Sequence, residues 1–160
     1  MNTMYRLVQL AMILSVFTLI TGCNNDKPDL PKQKRTDLEL YFTTIQAYDY
    51  LKKEAPNSLF IDVRTEAEAA EGMPAPADAN IPIVITRDNQ PELNKDFVTD
   101  IETRLNEKGL NKDSTILLLC RQGNRSAIAT NTLAKAGYKK VYNVVDGAIG
   151  WRKNNLPWTQ

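Results

Sequence analysis

The residues best suited to chemistry lie in one short segment, positions 120–126, which reads Cys-Arg-Gln-Gly-Asn-Arg-Ser. A cysteine becomes a nucleophile when its thiolate is stabilised. The 160-residue chain contains no histidine, so an imidazole base cannot provide that stabilisation. Arg121 and Arg125 can provide positive charge, and Gly123 allows the backbone to curl and turn its N–H groups inward. The segment therefore predicts a nucleophilic Cys120 in an anion-binding loop.

The neighbouring residues predict a strand before this loop and a helix after it. Residues 115–119 form an apolar run, which is typical of a strand buried on both faces in the middle of a parallel sheet. Residues 126–136 have helical character, and Gly137 is placed to end the helix. At such a junction, converging N–H groups and the helix dipole favour an anion. A lone cysteine at a strand end is more often structural, but the flanking arginines and glycine favour a reactive Cys120.

The rest of the folded region alternates short apolar runs with amphipathic stretches. The apolar runs predict strands over residues 38–42, 59–63, 80–83 and 141–145, and the amphipathic stretches predict helices over residues 44–54 and 95–108. This order predicts an α/β fold, with a parallel sheet, helices on both faces and ligands at the carboxyl ends of the strands. Residues 84–96 are polar and predict a surface loop at the mouth of the site.

The amino-terminal residues predict a targeting segment. Residues 7–20 are apolar except for Gln9, Ser15 and Thr18, a run too short to span a bilayer comfortably and typical of a secretory signal. The run ends in Ile20-Thr21-Gly22-Cys23, which resembles a bacterial lipobox. This resemblance implies removal of residues 1–22 and lipidation of Cys23, and the polar residues 23–37 then predict a flexible tether to a domain over residues 38–160.

Charge and composition limit the partners that we expect. The chain has 20 basic and 19 acidic residues, so it lacks the positive excess of a nucleic-acid-binding protein. Because it has two cysteines and no histidine, we expect no metal site and no cofactor. A nearly neutral domain gains little from membrane charge, so the lipid on Cys23 would hold it to the membrane. The expected location is the bacterial cell envelope, outside the cytoplasm, with Asn24 favouring the outer membrane over the inner one.

Four motifs in the predicted domain together resemble the rhodanese family of sulfurtransferases in its single-domain form. The match, in the order and spacing of these motifs, extends over most of residues 38–158. They are Ile61-Asp62-Val63-Arg64 at a strand end, Asn80-Ile81-Pro82, the loop Cys120-x-x-Gly123-x-Arg125-Ser126, and Asp146-Gly147 followed by Trp151 and Leu156-Pro157. The resemblance implies a rhodanese-like α/β fold and sulfur transfer.

The resemblance also assigns roles to individual residues. Cys120 would carry a sulfane sulfur as a persulfide and pass it from a small-molecule donor to a thiophilic acceptor. The backbone amides of residues 121–125 would hold the outer sulfur. Asp62 and Arg64 would form an ion pair that supports the loop, and Trp151 would lie in the core or act as a lid. Arg125 would brace the loop or bind an anionic substrate. The substrate-binding and loop residues would be Arg121, Gln122, Gly123, Asn124, Arg125 and Ser126.

Two other functions remain as alternatives. A cysteine phosphatase or arsenate reductase would need arginine at position 126, where this chain has Ser126, so that function is the less favoured one. A non-catalytic persulfide carrier or binding module would keep the same cysteine and loop. Among donors, the positive charge of Arg121 favours thiosulfate over mercaptopyruvate, because the loops that resemble the mercaptopyruvate branch are uncharged.

Overall fold

The computed structural model describes residues 29–159, and its secondary structure follows the predicted alternation of strands and helices. The strands are β1 (Tyr41–Phe42), β2 (Ser58–Asp62), β3 (Met73–Pro74), β4 (Ala79–Asn80), β5 (Val84–Arg87), β6 (Gln90–Leu93), β7 (Thr115–Leu119), β8 (Val141–Val144) and β9 (Trp158–Thr159). The helices are α1 (Thr44–Glu54), α2 (Glu66–Ala70), α3 (Phe97–Glu107), α4 (Asn124–Lys135) and α5 (Gly147–Lys153), with short 3₁₀ turns at Lys32–Lys34 and Ala55–Asn57.

The main sheet has five parallel strands in the order β1-β8-β7-β2-β4. Strand β7 therefore lies in the centre, as its apolar run predicts. Alternate residues of the strands pack on opposite faces of the sheet, each of which carries its own apolar cluster. One cluster includes Leu118 of β7, Phe97 of α3 and Leu133 of α4. The other includes Ala47 of α1 and Trp151 of α5, so helices cover both faces as expected.

Capping residues explain where two of the helices begin. Thr43 and Gln46 form a reciprocal capping box at the start of α1, and Thr65 and Glu68 form another at the start of α2. Each box satisfies backbone N–H groups that a helix leaves without partners at its first turn. The second box also orients Glu68, whose carboxylate contacts the loop that carries Cys120.

The polar segment 84–96 differs from the predicted surface loop, because much of it forms a β-hairpin. Strands β5 and β6 pair antiparallel through a two-residue turn at Asp88 and Asn89. Both turn residues have positive φ, the conformation that short hairpin turns require and that Asp and Asn tolerate better than most residues. Ile85 of the hairpin lines a cavity with Glu66 and Asn80, and that cavity contains no residue of the 120–126 loop.

The segment predicted as a flexible tether also differs from expectation, because residues 31–37 pack on the domain. Lys34 Nζ donates to Val145 O at 2.8 Å, and Lys34 O accepts from Asn143 Nδ2 at 3.0 Å. Thr36 is buried. Polarity alone does not reveal these contacts, since Lys34 reaches partners more than 100 residues further along the chain. The predicted signal segment, residues 1–22, and Cys23 lie outside the described residues. Within residues 29–159, no helix is long and apolar enough to cross a membrane.

Candidate active site

Cys120 follows directly after the central strand β7, at the carboxyl edge of the sheet. Its side chain is 1% exposed, and Sγ accepts a hydrogen bond from the backbone N–H of Gly123 at 3.2 Å. Gly123 also precedes the first residue of α4, so the positive end of that helix dipole lies beside the sulfur. The sequence predicts this strand–loop–helix arrangement, and among the described residues Gly123 supplies the backbone N–H that reaches the sulfur.

Two glycines allow the loop to fit closely against its neighbours. Gly123 has φ +93°, and a Cβ there would lie 2.5 Å from Val145 O. Gly147 has φ +60°, and its Cβ would lie 2.5 Å from Cys120 O. Any larger residue would therefore be strained in conformation and would also collide with backbone atoms. The loop is held between β8 and α5 at a spacing that only these glycines permit.

A buried polar network fixes the inner side of the loop. Ser126 Oγ lies 3.3 Å from Cys120 Sγ and donates to Asn143 Oδ1 at 2.6 Å. Asn143 Nδ2 donates to Gly123 O and to Lys34 O, each at 3.0 Å. Because carbonyl oxygens can only accept, these two bonds fix the orientation of the Asn143 amide. Asn143 thereby connects both loop residues that contact the sulfur with the amino-terminal segment.

Arg125 braces the outer side of the loop by pairing with α2. Its guanidinium donates two hydrogen bonds to the Glu68 carboxylate, at 2.6 and 2.7 Å. These bonds lower the pKa of Glu68 to about 2, with further help from the Thr65 N–H and hydroxyl. The same carboxylate raises the pKa of Arg125. The expectation that both loop arginines add free positive charge near Cys120 is therefore corrected, since Glu68 neutralises Arg125.

This pairing predicts a loss of stability in acid. The pKa of Glu68 in the folded protein is about 2 and its ordinary value is 4.5. Ionised Glu68 therefore stabilises the folded state fully at pH values above 4.5. That contribution is lost as the pH falls from 4.5 through about 2. We expect Glu68→Gln to lower the free energy of unfolding near neutral pH and to have a much smaller effect near pH 2. Urea unfolding at several pH values measures this, with Glu66→Gln on the same helix as control. Equal effects at all pH values would contradict the assignment.

Asp62 and Arg64 form a buried ion pair at the end of β2, the strand next to β7. Asp62 is 0% exposed, and Arg64 Nη2 lies 2.6 Å from its Oδ2. Arg64 also donates to Gly72 O and Glu68 O, so it fastens the segment that contains α2. The ion pair is the predicted one, and its support reaches the Cys120 loop indirectly, through Glu68 and Arg125.

A cavity of about 350 Å³ lies beside the loop, and we call it the arginine cavity. Arg121 is exposed and lines it, whereas Cys120 is buried behind the loop. Its full lining consists of Arg64, Glu68, Glu71, Arg121, Ala148, Ile149, Arg152 and Trp158. Gln122 lines a second cavity, of about 430 Å³, and Asn124 is exposed at the first turn of α4.

Comparison with known proteins identifies the family to which this domain belongs. The family described as Rhodanese-like domain matches residues 44–154, which include the central sheet, Cys120 and its loop. The chain belongs to the rhodanese-like domain family. The resemblance that the four sequence motifs indicate is confirmed, and so is the α/β fold that it implies.

Relatives of this rhodanese-like domain occur in bacteria and plants. The uncharacterized protein RP600 of Rickettsia prowazekii is 39% identical over 109 residues, which cover 64% of this chain and 83% of that protein. Thiosulfate sulfurtransferase 18 of Arabidopsis thaliana is 34% identical over 99 residues, covering 61% and 69% of the two chains. The crystal structure of Rv0390 from M. tuberculosis superposes with a TM-score of 0.59 and 30% identity, covering 74% of this chain and 96% of that one.

The rhodanese-like domain brings most of the predicted site residues together and adds two that the sequence motifs do not indicate. Ser126, Gly123 and Arg125 surround or brace Cys120, while Gln122 and Asn124 face outward. The missed residues are Glu68 on α2 and Asn143 on β8, whereas Gly147 belongs to the Asp146-Gly147 motif, which gave it no role at the loop. A capping-box pattern at Thr65 and Glu68 indicates a helix start, but nothing in it indicates a contact 57 residues away. Trp151 lies fully buried in the core, one of its two predicted positions.

Proposed function

We propose that this domain is a sulfurtransferase that takes sulfane sulfur from thiosulfate as a Cys120 persulfide and passes it to a thiol. In the first step the Cys120 thiolate attacks the outer sulfur of thiosulfate. A sulfur–sulfur bond forms to Sγ, the bond to the sulfite group breaks, and sulfite leaves with the electron pair. In the second step an acceptor thiolate attacks the persulfide, and the electron pair returns to Cys120. Each step conserves atoms and charge without an external oxidant or reductant.

One observation carries this proposal. Cys120 Sγ accepts a hydrogen bond from the Gly123 N–H, and Arg125, at the end of the same narrow loop, is already paired with Glu68. A phosphatase loop would need a free arginine for the oxyanion, and Arg125 does not supply one. The similarity to a plant protein named as a thiosulfate sulfurtransferase supports the same chemistry. Arg121, which has no carboxylate partner among the described residues, supports an anionic donor because a charged donor group stabilises departing sulfite.

Mass spectrometry after treatment with thiosulfate tests the proposal. We expect the protein to gain one sulfur atom, located on Cys120, and to lose it again when a thiol is added. Turnover with thiosulfate and cyanide then separates an enzyme from a persulfide carrier, since a carrier loads once without sustained turnover. A protein that gains no sulfur from thiosulfate would refute the proposed donor.

The choice of donor depends on Arg121. A hydrogen bond to a charged group contributes about 1.5–3 kcal/mol, so Arg121→Ala should lower kcat/KM for thiosulfate by roughly tenfold to a hundredfold. Lys139→Ala removes one positive charge before β8, away from the loop, and should have little effect. We also expect thiosulfate to be used better than mercaptopyruvate. Equal or better use of mercaptopyruvate by the wild type would overturn the assignment of thiosulfate.

We also propose that the domain is a lipoprotein of the bacterial cell envelope, anchored through Cys23. The apolar run 7–20 and the sequence Ile20-Thr21-Gly22-Cys23 support this location. Cells grown with labelled palmitate should label the wild-type protein, and Cys23→Ser should accumulate as an unlabelled precursor. Absence of label on the wild type would refute the anchor. Cys120→Ser serves as the control, because loss of the other cysteine should leave labelling unchanged.

A further inference from the structure

The arginine cavity carries a positive charge that the described residues do not neutralise. Two of its charged residues are already paired: Arg64 with Asp62, and Glu68 with Arg125. The remaining three are Glu71, Arg121 and Arg152, which leave one net positive charge. Neither Arg121 nor Arg152 forms an ion pair with a carboxylate within residues 29–159. Glu71 offsets only one of the two free guanidinium groups, and a cavity with a net positive charge favours an anionic ligand.

The cavity also offers an apolar surface that an inorganic anion would not use. The Trp158 ring contacts two guanidinium groups, with Arg64 Cζ 5.2 Å and Arg152 Cζ 5.6 Å from its centre. Ile149 is 45% exposed at the edge of the same cavity. A volume of about 350 Å³ is enough for a small organic molecule. Thiosulfate and sulfite lack carbon, so the apolar part of the lining fits an organic ligand better than either of them.

The cavity is fastened to the loop that carries the nucleophile. Ala148 N donates to Cys120 O at 2.7 Å, and Ile149 N donates to Arg121 O at 3.1 Å. These bonds join the start of α5 directly to the backbone of the reactive segment. A ligand held by Arg152 and Trp158 would therefore lie beside the loop. Arg121 belongs to both, because it follows Cys120 in the loop and also lines the cavity.

We propose that the arginine cavity is the binding site for the sulfur acceptor, and that the acceptor is a small organic thiol with a carboxylate. Arg152, together with Arg121, would bind the carboxylate, and Trp158 and Ile149 would contact the carbon atoms. Arg152 is thus a specificity-determining residue. This inference rests on the proposed function, because it concerns the second sulfur-transfer step. In that step the acceptor thiolate attacks the outer sulfur, and the bond between that sulfur and Cys120 Sγ breaks.

Three thiols with the same two-carbon stem and different charge test the specificity. They are 3-mercaptopropionate (anionic), 2-mercaptoethanol (neutral) and cysteamine (cationic), each used as acceptor with thiosulfate as donor. An exposed ion pair contributes up to about 1 kcal/mol, so Arg152→Ala should lower kcat/KM for 3-mercaptopropionate by about fivefold. The value for 2-mercaptoethanol should change little, and that for cysteamine should rise. Comparing each thiol between variants cancels differences in intrinsic thiol reactivity.

Two further variants separate charge at the cavity from other effects. Arg152→Lys keeps the charge and should retain most of the preference for 3-mercaptopropionate. Lys153→Ala removes the neighbouring charge from the same helix, but Lys153 lines the second cavity, so the preference should persist. If Lys153→Ala and Arg152→Ala have equal effects, the preference comes from the general positive charge of the helix, and the proposed site at Arg152 is wrong. If Arg152→Ala lowers use of all three thiols equally, the residue is structural and the inference is wrong.

A binding measurement keeps this inference separate from the proposed function. Propionate has no thiol, and its binding to the Cys120→Ser protein can be followed by tryptophan fluorescence, since Trp158 lines the cavity. We expect saturable quenching that Arg152→Ala weakens and that Trp158→Phe removes. If Cys120 gains no sulfur but propionate still binds in this way, the proposed function fails and the anion site stands. If Cys120 is loaded normally and neither binding nor preference depends on Arg152, the acceptor site fails alone.

Discussion

Replacing Cys120 with serine should abolish sulfur transfer from thiosulfate while leaving the fold intact. Serine has a similar shape, so the buried side chain and the Gly123 N–H contact can be retained. The hydroxyl group is a much weaker nucleophile than a thiolate and cannot carry sulfane sulfur as a persulfide. Turnover with cyanide should fall to the background rate, and mass spectrometry should detect no added sulfur. Circular dichroism and thermal unfolding should match the wild type.

The second cysteine provides the matched control for this experiment. In the full chain without the lipid, Cys23→Ser also removes one thiol, and it should leave sulfur loading of Cys120 at the wild-type level. Residual loading of Cys120→Ser would mean that another group accepts the sulfur. An unfolded Cys120→Ser protein would contradict the expectation that serine preserves the fold.

Breaking the buried ion pair at the end of β2 should destabilise the protein more than removing an exposed charge does. Arg64→Ala leaves the fully buried Asp62 carboxylate without its cation, a change that costs about 3–5 kcal/mol. It also removes the donors to Gly72 O and Glu68 O that hold the α2 segment. We expect urea unfolding to show this loss of free energy as a lower midpoint. We also expect activity to fall, because Glu68 and Arg125 lose their support.

Arg87→Ala is the matched control, because Arg87 pairs with Glu92 on the exposed hairpin. Its effect should be about 0–1 kcal/mol. A double variant, Asp62→Leu with Arg64→Leu, removes both buried charges together and should recover part of the lost stability. If Arg64→Ala costs no more than Arg87→Ala, the carboxylate is not held as a buried charge in the folded state.

Local patterns predict the central elements of this fold well. Helix α1 spans the predicted residues 44–54, and the apolar run 115–119 forms the central strand. These elements follow from capping, helical spacing and burial on both faces, which are properties of adjacent residues. The hairpin over residues 84–93 is harder to predict, because its strands are polar and short and Pro91 lies in one of them.

The candidate site shows the same division between local and long-range information. The order of Cys120, Gly123 and Arg125 predicts the loop, because a strand end, a glycine and a helix start are adjacent in sequence. Glu68 and Asn143 are missed because they reach the loop from other elements, over separations that only the sheet topology closes. Whether Arg125 binds substrate or braces the loop thus depends on a partner that lies on α2.

The contacts of Lys34 have a mechanical consequence. Residues 31–37 precede β1, so tension applied from the amino-terminal side reaches the Lys34 hydrogen bonds to Asn143 and Val145 before it reaches the pairing of β1 with β8. Asn143 also holds Gly123 and Ser126 around the sulfur. A pull from that side would therefore loosen the nucleophile's surroundings first and the apolar layers later. Under such tension, the contacts beside Cys120 would be among the first to be loaded.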